Sequence, residues 1–155
     1  MDKFLRILKD FIRDSALQDY LVYGSLAYFL YTKENINVAD IDIIISKNDF
    51  PKIQEQLRDS SYYKVFCYEK TVHVNLVNIN GGDGKPFDIS LDSYEDYFLD
   101  KDFNLTEYQE FEYSGTKLKI LPLVKLLEIY KQTAKEHEKG LEYVMKIARL
   151  EKILL

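Results

Sequence analysis

Apolar residues recur along the chain with two different periods, and the switches between them mark out the elements. Phe4, Leu5, Leu8, Phe11 and Ile12 form one helical stripe within residues 2 to about 15, with charged residues on the other face. That polar face carries Asp2, Asp10 and Asp14, which favours packing on a core over lying on a membrane surface. Residues 20–23 read as a short buried strand that stops at Gly24. Leu26, Ala27, Phe29 and Leu30 continue as a helix, with Ser25 as its expected cap. A polar connection, 32–38, leads into a strand over 39–46. Its Ile43-Ile44-Ile45 run leaves no polar face and predicts a central place in a sheet. The next helix runs to about residue 59, capped by Asn48 or Asp49, with Pro51 in its first turn and Phe50, Ile53 and Leu57 on one face.

The period then changes to two. Residues 62–70 and 71–79 read as strands, Gly81, Gly82 and Gly84 as a hairpin turn, and Pro86–Leu91 as a third strand. The glycine cluster lacks the lysine-serine/threonine ending of a phosphate loop and the ligand ladder of a calcium loop, so a turn is the expected reading. An acidic stretch over 92–105 reads as a short helix plus a loop. Residues 107–121 form another hairpin, turning at Ser114-Gly115, and two helices separated near Gly140 complete the chain.

Composition narrows the class. A chain of 155 residues, 46% apolar and 30% charged, is expected to fold as a single domain over 1–155, with a core over about 1–120 and a helical segment over about 121–155. The net charge of −5 argues against coating nucleic acid. Cys67 is the lone cysteine, so no internal disulfide forms; it reads as a small core residue. With no signal-like start and no apolar run long enough to cross a bilayer, a cytoplasmic location is expected. His73 and His137 read as structural or exposed groups.

Chemistry concentrates between Leu21 and Ser46. Asp40 and Asp42 are separated by one residue in a strand, so both carboxylates project from one face while Ile41 and Ile43 project from the other. Paired carboxylates embedded among isoleucines repel and are costly to desolvate, which calls for a cation. Asp88 repeats the apolar–acid–apolar pattern between Phe87 and Ile89. Gly24-Ser25, at a strand-to-helix turn, offers backbone N–H groups and a helix dipole to an anion. Hard cations such as Mg²⁺ take oxygen ligands and share substrate phosphates, so three acids beside an anion-ready turn form a coherent set.

Gly24-Ser25, Asp40-Ile41-Asp42 and Phe87-Asp88-Ile89, in that order, resemble the signature of the polymerase β-type nucleotidyltransferase superfamily, and small antibiotic-modifying members in particular. The resemblance implies an α/β (α+β) core, a mixed sheet flanked by helices with a C-terminal helical segment. It implies that Gly24 and Ser25 hold the outer phosphates of a nucleoside triphosphate. Asp40, Asp42 and Asp88 would ligate two Mg²⁺ ions, with Asp88 also serving the acceptor hydroxyl as base. Lys131, in the segment from Lys117 to His137, is the nearest match to a lysine characteristic of antibiotic-type members. The strand holding His73-Val74-Asn75-Leu76 offers a second register, which would put Asn75 in the third-acid place; Asp88 is the expected occupant.

The function that the resemblance implies is that of a Mg²⁺-dependent enzyme moving a nucleoside monophosphate from an NTP to a hydroxyl of a small-molecule acceptor. The chain has no room for the fingers and thumb of a templated polymerase. An aminoglycoside or lincosamide is the expected kind of acceptor, the acidic stretch 92–102 suiting a cationic one. The alternatives are a toxin–antitoxin-type enzyme acting on tRNA or a partner protein, and a non-catalytic nucleotide-binding member of the fold. A homodimer is compatible with the resemblance. A glycosyltransferase using Asp-x-Asp is disfavoured, because that fold needs a longer chain and gives Gly24-Ser25 no task.

Overall fold

The computed structural model describes residues 2–80, 86–97, 104–137 and 140–155. The expected glycine turn at Gly81, Gly82 and Gly84, part of the acidic stretch and the side chain of His137 lie outside the described residues. Helix α1 spans Asp2–Ser15. Strand β1 (Leu21–Tyr23) runs straight into α2 (Gly24–Thr32), and β2 covers Asp40–Ile45. A single tight turn, Lys47–Asp49, precedes α3 (Phe50–Leu57). Then come β3 (Tyr63–Cys67), β4 (Thr71–Asn80), β5 (Pro86–Ser93) and the one-turn α4 (Tyr94–Tyr97). The hairpin β6 (Gln109–Tyr113) and β7 (Thr116–Ile120) leads to α5 (Leu123–His137) and α6 (Leu141–Leu154).

Among the described residues, seven strands form one mixed sheet in the order β3-β4-β5-β2-β1-β7-β6. Strand β2 is the middle strand, as its unbroken isoleucine end requires; Ile41, Ile43, Ile44 and Ile45 are all fully buried. It pairs in parallel with β5 and antiparallel with β1. Phe4 of α1 stacks on Phe87 with ring centres 5.3 Å apart, and Phe11 meets Tyr63 edge-on. Since Phe87 and Asp88 project from opposite faces of β5, α1 covers the face away from the acids. Helix α2 packs on β1 and β2 and against α5 and α6: the Tyr28 and Tyr130 rings approach to 6.1 Å, and Tyr130 and Tyr143 to 5.5 Å.

Several local expectations are corrected. Ser25 does not cap α2; the helix begins one residue earlier, at Gly24, and no side chain caps it. Asp49 occupies the N-cap position of α3, but its side chain makes no capping hydrogen bond. Ser46 instead accepts from the Asn48 N–H and caps the tight turn before it, while Pro51 does occupy the first turn of α3. Cys67 is exposed rather than in the core, because it ends β3, an edge strand of the sheet. The strand expected over 86–91 continues through Asp92 to Ser93, so the acidic stretch begins as sheet. Among the described residues no helix is long and apolar enough to cross a membrane.

Candidate active site

The three sequence-identified aspartates share one face at the centre of the sheet. Asp40 and Asp88 are register partners across the parallel β2–β5 pair, and Asp42 is partnered by Ser90. Neighbouring strands lie about 4.8 Å apart, so Asp40 and Asp88 stand side by side. Asn75 sits one strand further out, opposite Asp88 on β4. Of the two residues that could fill the third-acid place, Asp88 is therefore the one on the strand beside β2.

A fourth carboxylate joins them. Asp88, Ser90 and Asp92 project from the same face of β5. Tyr23 reaches across β2 and donates its hydroxyl to Asp92 Oδ2, while Thr71 Oγ1 lies 3.1 Å from Asp92 Oδ1. Sequence reading misses Asp92 by assigning it to the irregular stretch; the Asp-x-Ser-x-Asp alternation is the available signal.

Negative charge accumulates here. Burial raises the Asp42 pKa to about 8, with the neighbouring Asp40, Asp92 and Asp88 adding to the shift. Asp40 is raised as well, by burial first and then by Asp88 and Asp92, with His73 offsetting part of it. Asp88 Oδ2 lies 2.9 Å from His73 Nδ1, whereas its Oδ1 is buried and has no hydrogen-bond partner among the described residues. A buried orphan acceptor within a group of carboxylates fits a bound cation. Among the described residues, no three His, Cys, Asp or Glu side chains are set closely enough to cage an ion by themselves. Mg²⁺ does not require such a cage, since it is commonly held by one or two carboxylates with waters and substrate phosphates filling its octahedron.

The turn after β1 completes the site. Gly24 has a φ of +68°, and a Cβ there would collide with Asp42 Oδ2. Only glycine allows the backbone to bend against that carboxylate. A cleft of about 170 Å³ opens at this point, lined by Tyr23, Gly24, Ser25, Asp42, Ile129, Tyr130, Thr133, Tyr143 and Lys146. The uncapped first turn of α2 leaves amide N–H groups for an anion.

Lys131 does not line this cleft. It pairs with Glu151 at 3.1 Å, half exposed, between α5 and α6. The lysine that does line it is Lys146 of α6, whose side chain is only 15% exposed. Its ammonium lies 5.6–5.9 Å from the ring centres of Tyr28, Tyr130 and Tyr143 and 3.1 Å from Glu142. Lys146 escapes sequence reading because only the packing of α6 on α2 brings it beside Gly24-Ser25.

No protein-family model and no curated protein sequence matches the chain. Solved structures do match it, over nearly its whole length. A nucleotidyltransferase-like antigenic protein from Paracoccidioides brasiliensis superimposes with a TM-score of 0.68 at 13% identity, covering 98% of this chain and 74% of its own. The lincosamide antibiotic adenylyltransferase LnuA, solved with lincomycin, gives 0.61 at 17% identity, covering 99% and 98%. ANT(2″)-Ia, solved with adenylyl-2″-tobramycin, gives 0.62 at 10% identity, covering 99% and 89%. The chain has the nucleotidyltransferase fold, a mixed sheet flanked by helices, to which the sequence resemblance pointed.

Proposed function

We propose that the chain is a Mg²⁺-dependent nucleotidyltransferase that transfers a nucleoside monophosphate from an NTP to a hydroxyl of a small-molecule acceptor. The observation that carries this reading is the registered pair Asp40–Asp88, with Asp42 on the same face and pressed against Gly24. Asp40, Asp42 and Asp88 would hold the metal. When bound, Mg²⁺ supplies positive charge that offsets the carboxylates and the charge developing on the transferring phosphoryl group.

The remaining work falls to the chain's own groups. Backbone N–H groups at Gly24 and Ser25 receive the outer phosphates, and Lys146 adds a cation at the same cleft. Tyr130 and Tyr143 give that cleft aromatic walls. Asp88 takes the proton of the acceptor hydroxyl as its oxygen forms a bond to the α-phosphorus. The bond from that phosphorus to the β-phosphate bridge breaks, and pyrophosphate leaves. Positioning and charge do the catalysis, with no covalent intermediate on the protein.

The acceptor class rests on charge and on the fold's neighbours. A net charge of −5, and neighbours solved with lincomycin and with an adenylylated tobramycin, favour a hydroxylated antibiotic-like molecule over nucleic acid. The test is nucleotidylation with each NTP and Mg²⁺ against cationic, neutral and RNA acceptors, read by pyrophosphate release and mass of the product. A preference for RNA would overturn the acceptor class. Calorimetry of NTP·Mg²⁺ binding addresses the mechanism: equal, weak binding by wild type and Asp42→Asn would overturn it.

A further inference from the structure

We propose that His73 is a positioning residue for Asp88, fixing that carboxylate so that one oxygen is left free for the metal and the acceptor. This rests on the reading of Asp88 given above and deepens it. His73 lies on β4, partnered by Ser90 of β5, and so sits diagonally across from Asp88, within side-chain reach. Its Nδ1 is 2.9 Å from Asp88 Oδ2. A carboxylate that ligates a metal is ionised and only accepts, so the tautomer that serves this role is the one with the proton on Nδ1. The other oxygen, Oδ1, is buried and has no partner among the described residues. A carboxylate with one oxygen anchored and the other bare is oriented for a ligand that the described residues do not supply.

The ring is itself held in place. Tyr68 meets the imidazole edge-to-face at 5.7 Å between centres, and the side chain is only 37% exposed. Rotation of His73 is thus restricted from the outer side of the hairpin, while its donor faces inward. Groups one step removed from a metal commonly act in this way, orienting a ligand through a hydrogen bond to its second oxygen; losing one typically costs 10–100-fold in metal affinity or activity. Asn75, the direct partner of Asp88, has no hydrogen bond to it among the described residues, which leaves His73 as the side chain that does.

The experiment measures Mn²⁺ binding to the nucleotide-free protein by electron paramagnetic resonance, for wild type, Asp88→Asn, His73→Ala, His73→Asn and the double variant. An asparagine amide reaches roughly the place of Nδ1, so it retains the donor. Expected are a loss of about 10-fold or more in affinity for His73→Ala, substantial recovery in His73→Asn, and no further loss when His73→Ala is added to Asp88→Asn. A residue that only packed the sheet would not be rescued by asparagine. If the alanine variant fails to fold, His73→Leu, which fills the space without a donor, takes its place against His73→Asn. Wild-type affinity in His73→Ala, with affinity lost in Asp88→Asn, would overturn the positioning role alone. Unchanged affinity in Asp88→Asn, or no Mn²⁺ binding by wild type, would overturn the reading of Asp88 and the proposal with it.

Discussion

Asp40 and Asp88 are direct register partners on adjacent parallel strands, although forty-seven residues separate them along the chain. Asn75 faces Asp88 from the next strand outward. If Asp88 is the base and metal ligand proposed, Asp88→Asn should lower turnover by about 10²–10⁴-fold, the range for losing a general base. Placing the acid one strand away, as Asn75→Asp in the Asp88→Asn background, should not restore it. In the wild-type background, Asn75→Asp puts a like charge directly opposite Asp88 and should destabilise the fold. Initial rates of pyrophosphate release and urea unfolding check both. Recovery of activity in the double variant would move the third acid to β4.

The two lysines offer a sharper contrast. Lys146 lines the cleft with Gly24 and Ser25, whereas Lys131 is tied to Glu151. Lys146→Ala should weaken NTP binding by roughly 10- to 100-fold, since a hydrogen bond to a charged group contributes about 1.5–3 kcal/mol. Its partner Glu142 is 76% exposed, so losing that ion pair should cost little stability. Lys131→Ala should leave NTP affinity unchanged. Calorimetry against NTP·Mg²⁺ separates the two, and the reverse ranking would remove Lys146 from the phosphate site.

That the aspartates are legible in the sequence and Lys146 is not has a physical reason. Period-two and period-3.6 patterns expose which side a residue takes within its own element, and that is enough for Asp40, Asp42, Asp88 and the central place of β2. The Gly24-Ser25 turn is legible because glycine at a strand end signals a close approach. Lys146 and His73 depend on contacts between elements distant in sequence: α6 against α2, and the diagonal of β4 on β5. No local period encodes these. Asp92 falls between the two cases, visible in its alternation but hidden by the acidic composition that comes after it. The start of α2 misleads for a similar reason, because it has no side-chain cap of the kind that ordinary helices favour.

Gly24 can be tested against a matched control. Gly24 and Gly115 both have positive φ, at +68° and +79°, but only Gly24 has a carboxylate where its Cβ would go. Alanine at either position should cost about 1–3 kcal/mol for the left-handed backbone. Gly24→Ala must in addition displace Asp42, so it should be the less stable variant and should lose NTP·Mg²⁺ affinity, while Gly115→Ala keeps it. Denaturant unfolding and calorimetry on the pair provide the measurement. Equal affinities would show that the turn does not serve the phosphate site.

Asp42 predicts how stability should respond to pH. Its pKa is pushed up to about 8 in the folded chain, against about 3.9 for an unperturbed aspartate. The folded state therefore keeps a proton between roughly pH 4 and 8 that the unfolded state has released. Stability from this group is greatest at the acid end and falls as pH rises through that window. The surroundings of Asp42 explain the direction: burial comes first, then the charges of Asp40, Asp92 and Asp88, while Tyr23, Tyr130 and Tyr143 share its cleft and Lys146 is the cation there. Asp42→Asn removes the titrating group. At pH 8, without divalent metal, it should be more stable than wild type by on the order of a few kcal/mol, with the gap closing towards pH 5. Mg²⁺ should raise the wild-type midpoint at pH 8 and leave that of Asp42→Asn nearly unmoved, because a cation replaces the proton only where there is a charge to meet. Urea titrations at pH 5, 6.5 and 8, with and without Mg²⁺, measure all of this. Parallel pH curves for the two proteins would mean that Asp42 is already neutralised by groups of the chain, and would leave the metal without its central ligand.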